Sequence, residues 1–219
     1  MRIGLLGGTF DPIHIGHLLV ARAALECGLD RVVFVPVRRP PHKDRSDILD
    51  PFHRFAMVAL ACAGERDLAV SPFEVARPGP SFTIDTARYF VTAGHQVTLI
   101  MGTDSLAEID GWRQSRDLLD LADVIAYPRR PEVGERLTRA LPDWIAARLV
   151  RSPEAREEAA RGGRRSVLCL DGTPEDASST RIRDLLRSDR PVTGLLPPGT
   201  EEYIMKQDLY RETREGTSD

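Results

Sequence analysis

The segment Gly7-Gly8-Thr9-Phe10-Asp11-Pro12-Ile13-His14-Ile15-Gly16-His17 concentrates the residue types that handle phosphate. Gly7 and Gly8 carry no Cβ, so an anion can approach the main chain there. His14 and His17 are three residues apart, close enough to converge on one anionic group through protonated ring nitrogens. A single loop histidine is ordinarily a solvated or hydrogen-bonded side chain. Two of them flanking Gly16, directly behind a Gly-Gly pair, point instead to a site. A second cluster, Ser178-Ser179-Thr180-Arg181-Ile182-Arg183, has the makings of a capped helix start, with either serine as N-cap and two arginines beside it. Alone it reads as an ordinary cap with solvated cations. Combined with the histidines it offers a second anion clamp, and the pair together could span a triphosphate.

The elements that must position these residues follow from the hydrophobic pattern. Arg2 to Leu6 is a short apolar run stopped by Gly7-Gly8, and Gly16 to Leu29 is apolar at helical spacing, so the histidine segment falls at a strand-to-helix turn. Arg31 to Val37 is too continuously apolar for a sheet with one wet face, which predicts a strand covered on both sides. Further helices are expected over Phe52–Ala63, Ile84–Ala93, Ser105–Ile109 and Ser115–Leu121. Strands are expected over Leu68–Val75, Gln96–Met101, Ala122–Tyr127 and Ser166–Leu170. Two final helical units run over Ser179–Arg187 and Gly199–Lys206, before a polar tail beyond Arg211. The alternation predicts an α/β fold: a doubly wound parallel sheet with helices on both faces and a small C-terminal helical part over 178–211. Arg38 to Pro51 is a charged, proline-rich loop, and Arg129 to Arg165 reads as surface helices and turns without nameable chemistry.

Other phosphate and metal chemistries fit less well. A dinucleotide fingerprint needs G-x-G-x-x-G and an acid after the second strand, whereas the glycines here are Gly4, Gly7 and Gly8, and Val35 to Arg39 holds no acid. No Gly-Lys-Ser/Thr follows the glycines, which excludes a P-loop, and neither H-E-x-x-H nor a cysteine pair supports zinc. With 219 residues, 42% hydrophobic and 29% charged, the chain can bury a core as one domain. A net charge of −3 argues against a nucleic-acid-binding surface, so any anion site is local. Cys27, Cys62 and Cys169 form no framework pattern and fit a reducing cytoplasm. The opening apolar run is too brief for a signal-peptide core, and no later stretch is long enough to span a bilayer.

Five motifs spread in order along nearly the whole chain resemble the bacterial nicotinate-nucleotide adenylyltransferases. They are G-G-T-F-D-P-I-H-I-G-H (7–17), P-P-H-K (40–43), P-S-F-T-I-D-T (80–86), M-G-T-D-S-L (101–106) with Trp112, and S-S-T-R-I-R (178–183). The first and last are shared across the wider nucleotidyltransferase superfamily, while T-I-D-T and G-T-D-S with Trp112 are particular to the nicotinate enzymes. Ala177 stands where the family usually has Ile, and Phe82 where it usually has Tyr. The resemblance implies a Rossmann-like nucleotidyltransferase domain over 1–211 with a tail at 212–219. The implied reaction is transfer of AMP from ATP to nicotinate mononucleotide in the route to NAD, giving deamidated NAD and pyrophosphate. It assigns His14, His17 and Arg183 to phosphate catalysis. Gly7, Gly8, Thr9, Phe10, Gly102, Asp104, Ser179 and Thr180 would bind ATP, with Asp104 on the ribose or else capping a helix. Lys43, Thr83 and Trp112 would serve nicotinate mononucleotide: Lys43 from the loop toward phosphate, Thr83 at a helix start suited to a carboxylate, Trp112 as a stacking face. Bound polyphosphate would favour doubly donating, protonated imidazoles. Mg²⁺ is expected to arrive with ATP rather than in a protein-built metal site. No nucleic-acid or membrane partner is expected, and the oligomeric state, a homo-oligomer included, stays open. Pantetheine-phosphate adenylyltransferases, cytidylyltransferases and a noncatalytic nucleotide sensor are the alternatives; acceptor choice and turnover separate them.

Overall fold

In the computed structural model, residues 1–39, 48–128, 141–170 and 177–211 are described. Strands β1 (Arg2–Gly8), β2 (Arg31–Pro36), β3 (Leu68–Val70), β4 (Gln96–Gly102), β5 (Asp123–Tyr127), β6 (Leu149–Val150) and β7 (Val167–Cys169) form one sheet. Its order is β3-β2-β1-β4-β5-β7-β6, and every pairing is parallel. The chain winds outward from β1 through α1 (Ile15–Glu26), β2 and α2 (Pro51–Cys62) to β3, then returns to β4 on the other side of β1. The strand order therefore reverses between β1 and β4, and beyond their carboxyl ends, Gly8 and Gly102, lies the place where open sheets of this kind hold a ligand crevice.

Alternation along the strands divides the core in two. Leu6, Val32, Phe34, Ile100, Ile125 and Leu168 face one side, against Leu18 and Ala21 of α1 and Met57 and Val58 of α2. The same face receives Ile182 and Leu185 of α9 (Ser179–Arg187) and Ile204 of α10 (Thr200–Lys206). Ile3, Leu5, Val33, Val35, Leu99 and Val124 face the other side. There they meet Ile84 of α4 (Thr83–Thr92), Leu106 of α5 (Thr103–Ala107) and Leu118 of α6 (Ser115–Leu121). Ile145 of α7 (Asp143–Ala146) joins this cluster, and Arg156 of α8 (Pro153–Arg161) packs at the amino edge, its guanidinium on the Cys27 carbonyl and the Thr98 hydroxyl. Glycine matters at two positions of this frame, one just past a helix end and one inside β1. Gly28, at φ +85°, ends α1, and a Cβ on Gly4 would meet Ile100 Cδ1 at 2.6 Å.

Several expected boundaries move. The strand expected over Leu68–Val75 stops at Val70. Pro72 cannot donate to a ladder, Ser71 Oγ accepts from the Phe73 N–H at 3.2 Å, and Phe73–Ala76 becomes the short helix α3. The helix expected over Ser105–Ile109 begins earlier, at Thr103, and continues as a 3₁₀ turn over Ile109–Gly111. Strand β6 lies inside the stretch read as surface helices and turns, because two residues carry no periodic signal.

Candidate active site

The turn between β1 and α1 is built by packing as much as by polar contacts. Phe10 adopts φ +50° and is 2% exposed, its ring set edge-on to Phe34 (5.5 Å) and to His17 (5.0 Å). A Cβ on Gly8 would meet Phe10 Cζ at 2.8 Å, so Gly8 makes room for that ring. A Cβ on Gly7 would meet nothing within 4 Å, which leaves its main chain open at the sheet edge. The expectation that Phe10 serves ATP is thus restricted to its main chain: its side chain is core.

His14 is the N-cap of α1 and is 8% exposed, with its ring stacked on that of His17 at 3.7 Å between centroids. The His14 main-chain N–H donates to His17 Nδ1 at 3.2 Å. A ring nitrogen that accepts in this way carries no proton, so in the neutral ring the proton sits on Nε2. The expected doubly donating form would require this Nδ1 contact to be given up when polyphosphate binds.

The second cluster meets this turn directly. Ser178 is the N-cap of α9, its Oγ accepting from the Arg181 N–H at 3.2 Å. Ser179 is then free to reach outward, and its hydroxyl donates to the Pro12 carbonyl at 3.0 Å. Arg183 Nη1 donates to the Asp11 carbonyl at 2.6 Å and Nη2 to Thr180 Oγ1 at 3.4 Å. Arg183 Nε is buried without a partner among the described residues, so the guanidinium keeps a donor in reserve.

Three residues the sequence reading passed over hold the turn in place. Asp11 is 4% exposed; its Oδ1 accepts from Tyr210 at 2.7 Å, and Oδ2 lies 3.9 Å from Arg183. Burial, followed by the Asp11 charge, pushes the Tyr210 hydroxyl well above the usual tyrosine range, so it stays a donor. Arg54 is fully buried and donates to the carbonyls of Thr9 (2.6 Å), Leu49 (2.9 Å) and Arg38 (3.2 Å). Burial pulls its guanidinium down, and the Asp11 charge pulls back. An arginine on the apolar stripe of α2, one turn before Met57 and Val58, was the signal that could have found it. Tyr210 offered none, since its partner is 199 residues away.

On the other side of the strand reversal, Gly102 ends β4 beside Tyr127 and is the N-cap of α5, which places Asp104 in that helix's first turn rather than at a cap. Thr83 opens α4 behind Phe82, whose side chain makes no capping hydrogen bond, and the N–H groups of Thr83 and Ile84 have no partner among the described residues. Trp112 follows the 3₁₀ turn half-buried against the core. The next residue, Arg113, lies over the Phe82 ring at 4.6 Å, so the segments carrying Trp112 and Thr83 adjoin. Lys43 lies outside the described residues. Among those residues no three His, Cys, Asp or Glu side chains converge as a metal cluster.

Residues 5–185 match the family model described as cytidylyltransferase-like, which makes the chain a nucleotidyltransferase. A Pelobacter propionicus protein described as a probable nicotinate-nucleotide adenylyltransferase is 43% identical over 97% of this chain and 99% of its own length. Its counterpart in Caldicellulosiruptor saccharolyticus is 37% identical over 97% of this chain and all of its own. The chain belongs to the nicotinate-nucleotide adenylyltransferases. The fold is shared with the Plasmodium falciparum nicotinic acid mononucleotide adenylyltransferase complexed with NaAD, at a TM-score of 0.68 and 17% identity over 95% of this chain and 97% of that one.

Proposed function

We propose that this chain, acting as one domain over 1–211, transfers the adenylyl group of ATP to the 5′-phosphate of nicotinate mononucleotide. A phosphate oxygen of the acceptor bonds to the α-phosphorus, the bond from that phosphorus to the bridging oxygen breaks, and pyrophosphate leaves. The attacking phosphate is already ionised at neutral pH, so catalysis reduces to alignment and stabilisation of negative charge. The observation that carries this reading is the joining of two distant segments on one turn: Ser179 bonds Pro12 and Arg183 bonds Asp11, three residues from His14. In this reading His14 and His17 act on the α- and β-phosphates, and Arg183, Ser179 and Thr180 on the β- and γ-phosphates. Gly7, Gly8, Thr9 and the Phe10 main chain line the approach, Gly102 and Asp104 hold the adenosine side, and Lys43 is assigned to phosphate. The open N–H groups at Thr83 and Ile84 suit a carboxylate, with Trp112 beside them as a stacking face.

The donors at the turn are imidazole, hydroxyl and guanidinium, chemistry suited to phosphate oxygens, and its buried carboxylate is engaged by Tyr210. Mg²⁺ accordingly enters as part of the MgATP substrate, held by phosphate oxygens and water. The three cysteines are free thiols, which suits a reducing cytoplasm, and no helix among the described residues is long and apolar enough to cross a membrane. The test is pyrophosphate release from ATP across nicotinate mononucleotide, nicotinamide mononucleotide and 4′-phosphopantetheine. Nicotinate mononucleotide is expected to give the highest kcat/KM; equal values for the acid and the amide would refute carboxylate recognition.

A further inference from the structure

We propose that Glu74 is a positioning residue for the acceptor: its hydrogen bond to Thr86 holds the first turn of α4 where the Thr83 and Ile84 N–H groups face the substrate. This rests on the acceptor reading given above. Glu74 lies on α3 and is 7% exposed; Thr86, on the first turn of α4, is 3% exposed. The Thr86 hydroxyl donates to Glu74 Oε1 at 2.6 Å, a bond between two helices with both partners out of water. Oε2 is buried without a hydrogen bond of normal geometry, although the Ser81 hydroxyl lies near enough to favour the ionised form.

A buried carboxyl costs desolvation that an apolar residue of the same size would avoid, so packing alone does not call for Glu74. Its contribution is direction. Thr86 is three residues beyond Thr83, and fixing its hydroxyl fixes the rotation of the turn that carries the open N–H groups. The same helices are tied again further along, where the rings of Phe73 and Tyr89 stack at 4.4 Å. Loss of the Glu74 bond therefore loosens the first turn without detaching α4. Burial also pushes the Glu74 carboxyl upward, with Thr86, Ser81 and the Arg77 charge offsetting part of the rise.

The experiment is steady-state adenylyl transfer by the full chain, with ATP and either nicotinate or nicotinamide mononucleotide. The variants are Glu74→Ala, Glu74→Gln, Thr86→Val and the Glu74→Ala/Thr86→Val pair. Glu74→Ala and Thr86→Val are each expected to raise KM for nicotinate mononucleotide about tenfold and to narrow its advantage over the amide, with KM for ATP within about twofold of wild type. Glu74→Gln keeps an oxygen for Thr86 and is expected to restore the acceptor KM, and the double variant is expected to be no worse than the worse single one. An unchanged acceptor KM, a parallel rise in both KM values, or a Gln variant as damaged as the Ala variant would each overturn the proposal. Should Glu74→Ala fail to fold, Thr86→Val carries the same comparison. A wild-type enzyme without preference for the acid defeats the acceptor reading itself; a wild-type preference that both variants preserve defeats only the role of Glu74.

Discussion

The bond from the His14 main chain fixes the His17 ring from inside its own helix turn, with Nδ1 as acceptor and the proton of the neutral ring on Nε2. A donor oriented before substrate arrives stabilises developing charge without reorganisation. His17→Ala is therefore expected to lower kcat by about two to three decades with a smaller change in ATP affinity, measured by pre-steady-state turnover and nucleotide titration. The two glycines of the turn should separate. Gly8→Ala drives a Cβ into the buried Phe10 ring and is expected to cost about 1–3 kcal/mol in denaturant unfolding. Gly7→Ala meets open space and is expected to spare stability while raising KM for ATP. Glu74 carries a pH signature of its own. Its native carboxyl binds its proton more tightly than the unfolded chain does, so its stabilising contribution is full in acid and declines as pH climbs from the ordinary carboxyl range through the raised value. Glu74→Gln removes that slope from a profile of Tm against pH; parallel profiles would contradict it. The glycines and histidines were legible because their chemistry is local. The burial of Phe10 was not, because it depends on Phe34 of another strand.

At the scale of elements, the turn after β1 is held from three directions: α9 through Ser179 and Arg183, α2 through Arg54, and the segment after α10 through Tyr210. Arg54 has the widest reach, bonding carbonyls at the turn, after β2 and before α2. Arg54→Leu removes the donors to three part-buried carbonyls and is expected to lose about 3 kcal/mol of unfolding free energy. Arg54→Lys, a point charge that cannot fork, is expected to recover only part of it. Calorimetry of the two variants checks both statements, and a Leu variant of wild-type Tm would remove Arg54 from the scaffold. The major helices and long strands were visible in the sequence because their periodicities run for six residues or more. The short ones, α3 and β6, were obscured, since a four-residue helix after Pro72 and a two-residue edge strand are set by tertiary contact.

For the molecule as a whole, the parallel sheet places every strand's carboxyl end on one edge, and the reversal between β1 and β4 opens that edge at Gly8 and Gly102. The turn proposed to hold the nucleotide and the elements proposed for the acceptor, α4 and Trp112, come from opposite sides of this reversal, an arrangement suited to bringing two substrates end to end. The doubly wound parallel sheet was inferable from the β-α-β alternation; the meeting of residues 11 and 210 was not, for no local pattern encodes a contact so remote. That contact has a temporal consequence. During synthesis the first residues of the phosphate turn emerge from the ribosome early, yet Asp11 gains its buried hydroxyl partner only when Tyr210 follows. The phosphate turn therefore cannot acquire this buried hydrogen bond from its own neighbourhood and waits on a residue 199 positions further along the chain.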